Sequence, residues 1–200
     1  MNEIHLVLHG LAIKRHATPE AVAGVIGLDS ARIRTALADL LMQGRVIEAG
    51  GKYALTPAAR VALDGEYPRY YASLRGDPQF LKVCDEFERV NRSLKGLITE
   101  WQTTEVAGER VPNDHSDKEH DRRTIERLGD LHEVADQVLA RLARRVSRLQ
   151  RYRDKLLSAL EKAENGDIAW VSDARTESYH TVWFEMHEDL LRITGRERTE

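Results

Sequence analysis

Five side chains near the start of the chain have the types and spacing to grip a nucleic acid. Ser30, Arg32, Arg34 and Thr35 fall within six residues, and Lys52 follows at the head of a short strand segment. An arginine fork matches a guanine edge or a phosphate, and a serine at a helix N-terminus lies where phosphate contacts are common. A lysine supplies a point charge for backbone phosphate. Elsewhere the chemistry-bearing types do not complete a pattern. Asp114, His115, Asp117, His120 and Asp121 could ligate a metal, but they precede a helix, where Ser116-x-x-Glu119 has the form of a capping box. Glu177-x-x-His180 is half of a di-iron bundle motif that must occur twice, with two further glutamates. The chain has no Gly-rich phosphate loop, no G-x-G-x-x-G, no H-E-x-x-H and no G-x-S-x-G. Cys84 lies on an apolar helix flank and reads as a small hydrophobe. The expectation is therefore a non-enzyme that needs no metal and no cofactor.

The elements that position the five residues span Thr18 to Thr56. Thr18 caps a helix and Pro19 fits its first turn, with Val22, Val25 and Ile26 as its apolar face. Gly27-Leu28-Asp29 makes a turn, and Asp29 caps the next helix. That helix carries Ile33, Leu37, Leu40 and Leu41 inward and Ala31, Thr35, Ala38 and Met42 outward, flanked by Arg32, Arg34 and Asp39. This outer face is small and apolar apart from its charges, which suits a DNA groove or the surface of another protein. Arg45 to Ala49, Gly50-Gly51 and Lys52 to Leu55 read as a two-stranded hairpin. A helix over Asn2 to Lys14 packs behind this pair, with His5, His9 and His16 expected at its surface or boundary.

From Pro57 a short helix is expected through Leu63. Asp64 to Pro68 breaks the pattern and sets a boundary between residues 1–66 and 67–200. Tyr67, Tyr70 and Tyr71, with Arg69 and Arg75, either stack bases or pack the linker. Phe80, Val83, Phe87, Val90, Leu94, Leu97 and Trp101 alternate spacings of 3 and 4, a seam of about three heptads. Glu105 to Ser116 reads as a polar break. Ile125, Leu128, His132, Ala135, Leu139 and Leu142 repeat the seam. The basic run from Arg141 to Lys155 covers several helix faces and reads as solvated surface. Residues 168–175 read as a loop and Thr176 to Thr194 as a broad-faced last helix. Asn91, His132, His180 and His187 are the polar residues set among these apolar positions. Each is either a buried, hydrogen-bonded group or a contact for a small-molecule effector.

The bounds agree with a helix-rich protein of two units. The formal charge is −3, but residues 1–66 hold seven basic and seven acidic residues and are neutral. A DNA reader gains much of its affinity by neutralising phosphates, so local charge must do what net charge does not. A single cysteine, no 18-residue apolar run and no signal-peptide pattern point to a cytoplasmic protein without a membrane span.

The order helix, turn, helix, hairpin, closing on Tyr53-Ala54-Leu55-Thr56-Pro57-Ala58-Ala59-Arg60, resembles the winged helix-turn-helix domain of MarR-like bacterial regulators. The resemblance covers the first third of the chain. It implies a mainly α protein with a small β wing, binding a DNA half-site as a homodimer through Ser30, Arg32, Arg34, Thr35 and Lys52. Three later pieces, Asn113-Asp114-His115-Ser116-Asp117, Leu131-His132 and Tyr179 to Leu191, resemble a helical segment associated with proteins like phosphoenolpyruvate synthase and pyruvate,phosphate dikinase. That resemblance implies a non-catalytic accessory subunit of a phosphotransfer enzyme, docking through its winged helix. The helical C-terminal part is also similar to effector domains of FadR-like regulators, though their full ligand pattern is not found. The leading expectation is a transcriptional regulator with a C-terminal antiparallel helical bundle for dimerisation or effector binding.

Overall fold

Capping and burial explain why the first elements form where they do. The computed structural model describes residues 3–106 and 108–198. Helix α1 (Glu3–Lys14) has Glu3 in its first turn and Lys14 in its last, each favourable to the helix dipole. Helix α2 (Pro19–Ile26) starts where the Thr18 hydroxyl accepts from the Ala21 amide and ends at Gly27, whose φ of 78° lies in the left-handed region that favours glycine. Helix α3 (Ser30–Met42) starts where the Asp29 carboxylate accepts from the amides of Ala31 and Arg32. Strands β1 (Val46–Ala49) and β2 (Lys52–Leu55) pair antiparallel, Val46 opposite Leu55. Gly50 and Gly51 both have positive φ, as the primed two-residue turn requires. Ala17, between α1 and α2, adds a bridge to this hairpin: its amide donates to the Tyr53 carbonyl, and the Tyr53 amide donates back.

Helix α4 (Pro57–Tyr70) does not stop at Leu63 as expected. Its buried face runs Ala59, Leu63, Tyr67, then Tyr71, one turn apart. Proline inside a helix costs about 3 kcal/mol, and burying two tyrosines and a leucine at about 1.5–3 kcal/mol each outweighs it. Pro68 itself faces solvent. Helix α5 (Ala72–Arg75) is a single turn, and α6 (Pro78–Gln102) follows.

The expected polar break after α6 is instead a second hairpin, β3 (Thr103–Val106) and β4 (Glu109–Pro112), with Thr103 opposite Pro112. The Asn113 side chain and amide tie its end to the Trp101 and Gln102 carbonyls. Helix α7 (Lys118–Arg145) is capped by Asp117 rather than Ser116, its carboxylate accepting from Glu119 and His120 amides. A 3-10 turn at Ser147–Leu149 leads into α8 (Gln150–Glu164). Residues 168–175 are not all loop, since Ala169–Ser172 forms a one-turn helix, α9; α10 is Tyr179–Thr194.

The molecule is mainly helical with two small antiparallel hairpins among the described residues. By contact, residues up to Leu81 and from Glu185 onward gather into one unit, and Lys82–Phe184 into a second. The first unit has its core at Val7, Leu8, Leu11, Val22, Val25, Ile33, Leu37, Leu40 and Leu63. The second is built on both predicted seams. Phe87, Leu94 and Trp101 of α6 and Leu128, Ala135, Leu139 and Leu142 of α7 are buried, with Tyr152, Leu156 and Tyr179. Phe87 and Tyr179 each stack on Trp183. No described helix is long and apolar enough to cross a membrane.

Candidate functional site

The outer face of α3 is open. Ala31, Arg32, Arg34, Thr35, Ala38, Asp39, Leu41 and Met42 are exposed, and Ser30 is half-buried at the helix start beside its Asp29 cap. Ile33, Ala36, Leu37 and Leu40 hold the opposite face in the core. Arg32, Arg34 and Thr35 are therefore all exposed on α3, Thr35 on the open face and the two arginines on its opposite flanks. Thr35 turns its hydroxyl back to the Ala31 carbonyl, 3.2 Å away. Lys52 is exposed at the first position of β2, on the hairpin that the Ala17 bridge fixes to the helices.

Both arginines carry partners that spacing alone does not announce. The Arg32 guanidinium donates to Glu3 of α1 at 2.5 Å, and that of Arg34 to Glu20 of α2 at 2.7 Å. Exposed pairs of this kind are worth about 0–1 kcal/mol, so a phosphate can displace either glutamate at small cost. The pairs do make the face close to neutral. A groove of about 370 Å³ runs beside it, lined by Glu3, Ile4, Arg32, Thr35, Ala36 and Asp39. Apolar side chains are exposed at the far end, where α3, β1 and α4 meet: Met42 at 81%, Val61 at 74% and Ile47 at 58%. The Thr56 hydroxyl, 3.2 Å from both the Gly44 and Arg45 carbonyls, holds that corner.

His5 and His9 are not surface residues; both are buried inside the first unit. His5 Nδ1 meets Glu66 at 3.0 Å, and its ring lies over Tyr70 with centroids 3.8 Å apart. His9 Nε2 donates to Asp189 at 3.0 Å, leaving Nδ1 to accept the Tyr67 hydroxyl, also at 3.0 Å. Burial pushes the Tyr67 phenol well above its ordinary range, with Arg192 partly opposing, so Tyr67 stays a donor. The aromatic cluster of Tyr67 and Tyr71 is thus spent on packing around these histidines. His16 is exposed.

The four effector candidates do not share one opening. The Asn91 carbonyl accepts from Trp183 Nε1 at 3.0 Å and its amide donates to Glu88, so its polar atoms are engaged. His132 is buried in the α7 seam with Nδ1 3.1 Å from the Tyr179 hydroxyl. It lines a groove of about 590 Å³ with Glu133, Asp136, Gln137, Gln150, Arg153, Asp154 and Leu157; the other three candidates do not line it. Asp136 and Arg153 face each other there in a two-pronged ion pair, which holds the Asp136 carboxyl below its usual range. Burial lowers the pKa of His132 and of half-buried His180. His187 is buried on α10.

Of the residues weighed for a metal, His115 and Asp121 come together, Nδ1 to Oδ1 at 2.9 Å. No group of three or more metal-ligating side chains forms among the described residues. Sequence reasoning missed the buried His9–Asp189 contact, because its partners stand 180 residues apart. No protein-family model, curated protein or solved structure matches this chain.

Proposed function

We propose that the first unit is a winged helix-turn-helix and that the protein is a DNA-binding transcriptional regulator. The observation that carries the reading is the Ala17–Tyr53 bridge. It joins the α1–α2 connection to β2 as a short third strand, so the hairpin is fixed beside α3 with Lys52 at its edge. In this reading α3 enters the major groove. Ser30 meets phosphate at the helix start, Arg32 and Arg34 leave Glu3 and Glu20 for base edges or phosphates, Thr35 touches the groove floor and Lys52 grips the backbone. A palindromic operator calls for two copies, and Lys82–Phe184 supplies dimerisation or effector binding.

Replacing both arginines in Arg32→Ala/Arg34→Ala tests the assignment. A specific base or phosphate contact is worth about 1–3 kcal/mol. The variant should bind its operator at least about tenfold more weakly and unfold at nearly the wild-type denaturant concentration, since its lost ion pairs are exposed. Unchanged affinity in a folded variant removes these arginines from the interface.

A second reading is favoured by the exposed Met42, Ile47 and Val61 together with the charge-balanced face. Under it the same unit docks on a partner protein, as expected of an accessory subunit of a phosphotransfer enzyme. Co-purification of a large ATP-dependent partner, lost on Met42→Asp, supports this reading.

A further inference from the structure

One ring nitrogen in the second unit belongs to a deeply buried side chain, yet it is open to solvent and has no protein partner. His132 of α7 is only 7% exposed. Its Nδ1 lies 3.1 Å from the Tyr179 hydroxyl, while its Nε2 stays open and meets no hydrogen-bonding group among the described residues. Tyr179 decides the tautomer. Its phenol is fully buried, and His132 Nδ1 is its one hydrogen-bond partner among the described residues. A buried O–H without an acceptor is costly, so Tyr179 donates and Nδ1 accepts. Burial also lowers the pKa of the ring and keeps it neutral. Its one N–H is therefore at Nε2, a donor on the floor of the groove between α7 and α8.

The rest of this groove of about 590 Å³ restricts what can accept from that donor. Arg153 is spent, with Nε and one Nη on Asp136 and the other Nη on Gln150. Glu133, Gln137, Asp154 and Leu157 are exposed along the walls. Three carboxylates against one paired guanidinium repel an anion. A simple ammonium compound has donors for the carboxylates but no acceptor for His132. A hydroxyl group does both, since its oxygen accepts from Nε2–H and its O–H donates to a carboxylate. Leu157 offers apolar surface to the C–H groups of such a molecule. We infer that this groove binds a polyhydroxylated compound without negative charge, a sugar or an amino sugar, with one hydroxyl oxygen on His132 Nε2 and neighbouring hydroxyls donating to Glu133 and Asp154. The inference rests on the effector role proposed for Lys82–Phe184 in giving the ligand a purpose. The binding itself is tested without DNA, so its failure strikes the groove and leaves the DNA reading standing.

The test titrates glucose, ribose, mannitol and glucosamine into the full chain, followed by NMR of the backbone amides and of the His132 ring nitrogens. The free protein should show the Nε2–H tautomer. At least one probe should bind saturably in the millimolar range or tighter, with shifts gathered at His132 Nε2, Glu133, Gln137 and Leu157. Tighter binding of glucosamine than of glucose assigns an amino sugar, and the reverse order a neutral one. Gluconate, hydroxylated but anionic, and butylammonium, a cation without hydroxyls, should not bind. His132→Phe keeps a ring in the seam but removes the donor, and should weaken binding about tenfold or more, the scale of a lost hydrogen bond with its partner left unpaired. Glu133→Ala/Asp154→Ala changes two exposed positions and should weaken binding to a similar degree even if the His132 variant fails to fold. An Nδ1–H tautomer, no saturable binding of any of the four probes, equal binding of gluconate or butylammonium, or wild-type affinity in the double variant overturns the inference.

Discussion

At the scale of single residues, the first unit depends on buried polar contacts that no local pattern displays. His9 reads from the sequence as a boundary residue on α1, yet it lies fully buried between Tyr67 and Asp189. Its replacement removes a buried ring and takes a hydrogen bond from each neighbour. His9→Ala should therefore lower stability by about 2–4 kcal/mol, read as a shift in urea midpoint. His132 and His180 make a different prediction. Burial sets their folded pKa below the ordinary value of about 6.5. Below that pH the unfolded chain takes up protons that the folded chain refuses, so their contribution is intact above about pH 6.5 and declines as pH falls toward the folded values. The urea midpoint should drop between pH 7 and pH 5.5, and His180→Asn should make that drop shallower. An equal or steeper drop in the variant would contradict the burial argument.

At the scale of elements, what was legible followed from periodicity and punctuation. Thr18, Pro19, Gly27 and Asp29 mark α2 and α3 to within a residue, and the twin glycines mark the β1–β2 turn. The 3/4 seams of α6 and α7 correspond to buried positions, apart from half-buried Val83. What failed was the weighing of breakers and polarity against burial. Gly65 and Pro68 suggested an end to α4, but the buried ladder through Tyr67 and Tyr71 carries the helix on. The β3–β4 hairpin was hidden because its residues are mostly polar and exposed, and its anchor is a pair of Asn113 bonds to backbone. Of the candidate site, the outer face of α3 was legible from its helical spacing, except that Leu41, expected on the apolar face with Ile33, Leu37 and Leu40, is 43% exposed. The Glu3 and Glu20 partners were not, since pairing between helices depends on how they pack. That packing is close: a Cβ at Gly10 of α1 would lie 2.8 Å from Val22 and 2.9 Å from Ile26 of α2. Overpacking costs about 1–3 kcal/mol, against a helix-propensity gain of up to about 1 kcal/mol. Gly10→Ala should thus be destabilising by about 1 kcal/mol in thermal or urea unfolding. A stabilised variant would show that α1 and α2 separate freely.

At the scale of the whole molecule, charge is the quantity that separates the two readings. The chain is slightly acidic overall, and its α3 arginines are balanced by glutamates. DNA binding by such a surface must come from a few placed contacts exposed by ion-pair exchange. A diffuse basic field would give a steep salt slope and little sequence preference. Here the salt slope should be modest, about one unit for each phosphate-contacting cation, while discrimination between sequences should be retained. The most direct measurement is a fluorescence-anisotropy titration of the full chain against DNA from its own promoter region and against random DNA, at two salt concentrations. The regulator account predicts saturable binding to the promoter fragment, tighter than to random DNA at both salts and weaker at the higher one. Identical affinity for the two DNAs, or no binding at the lower salt, would contradict it.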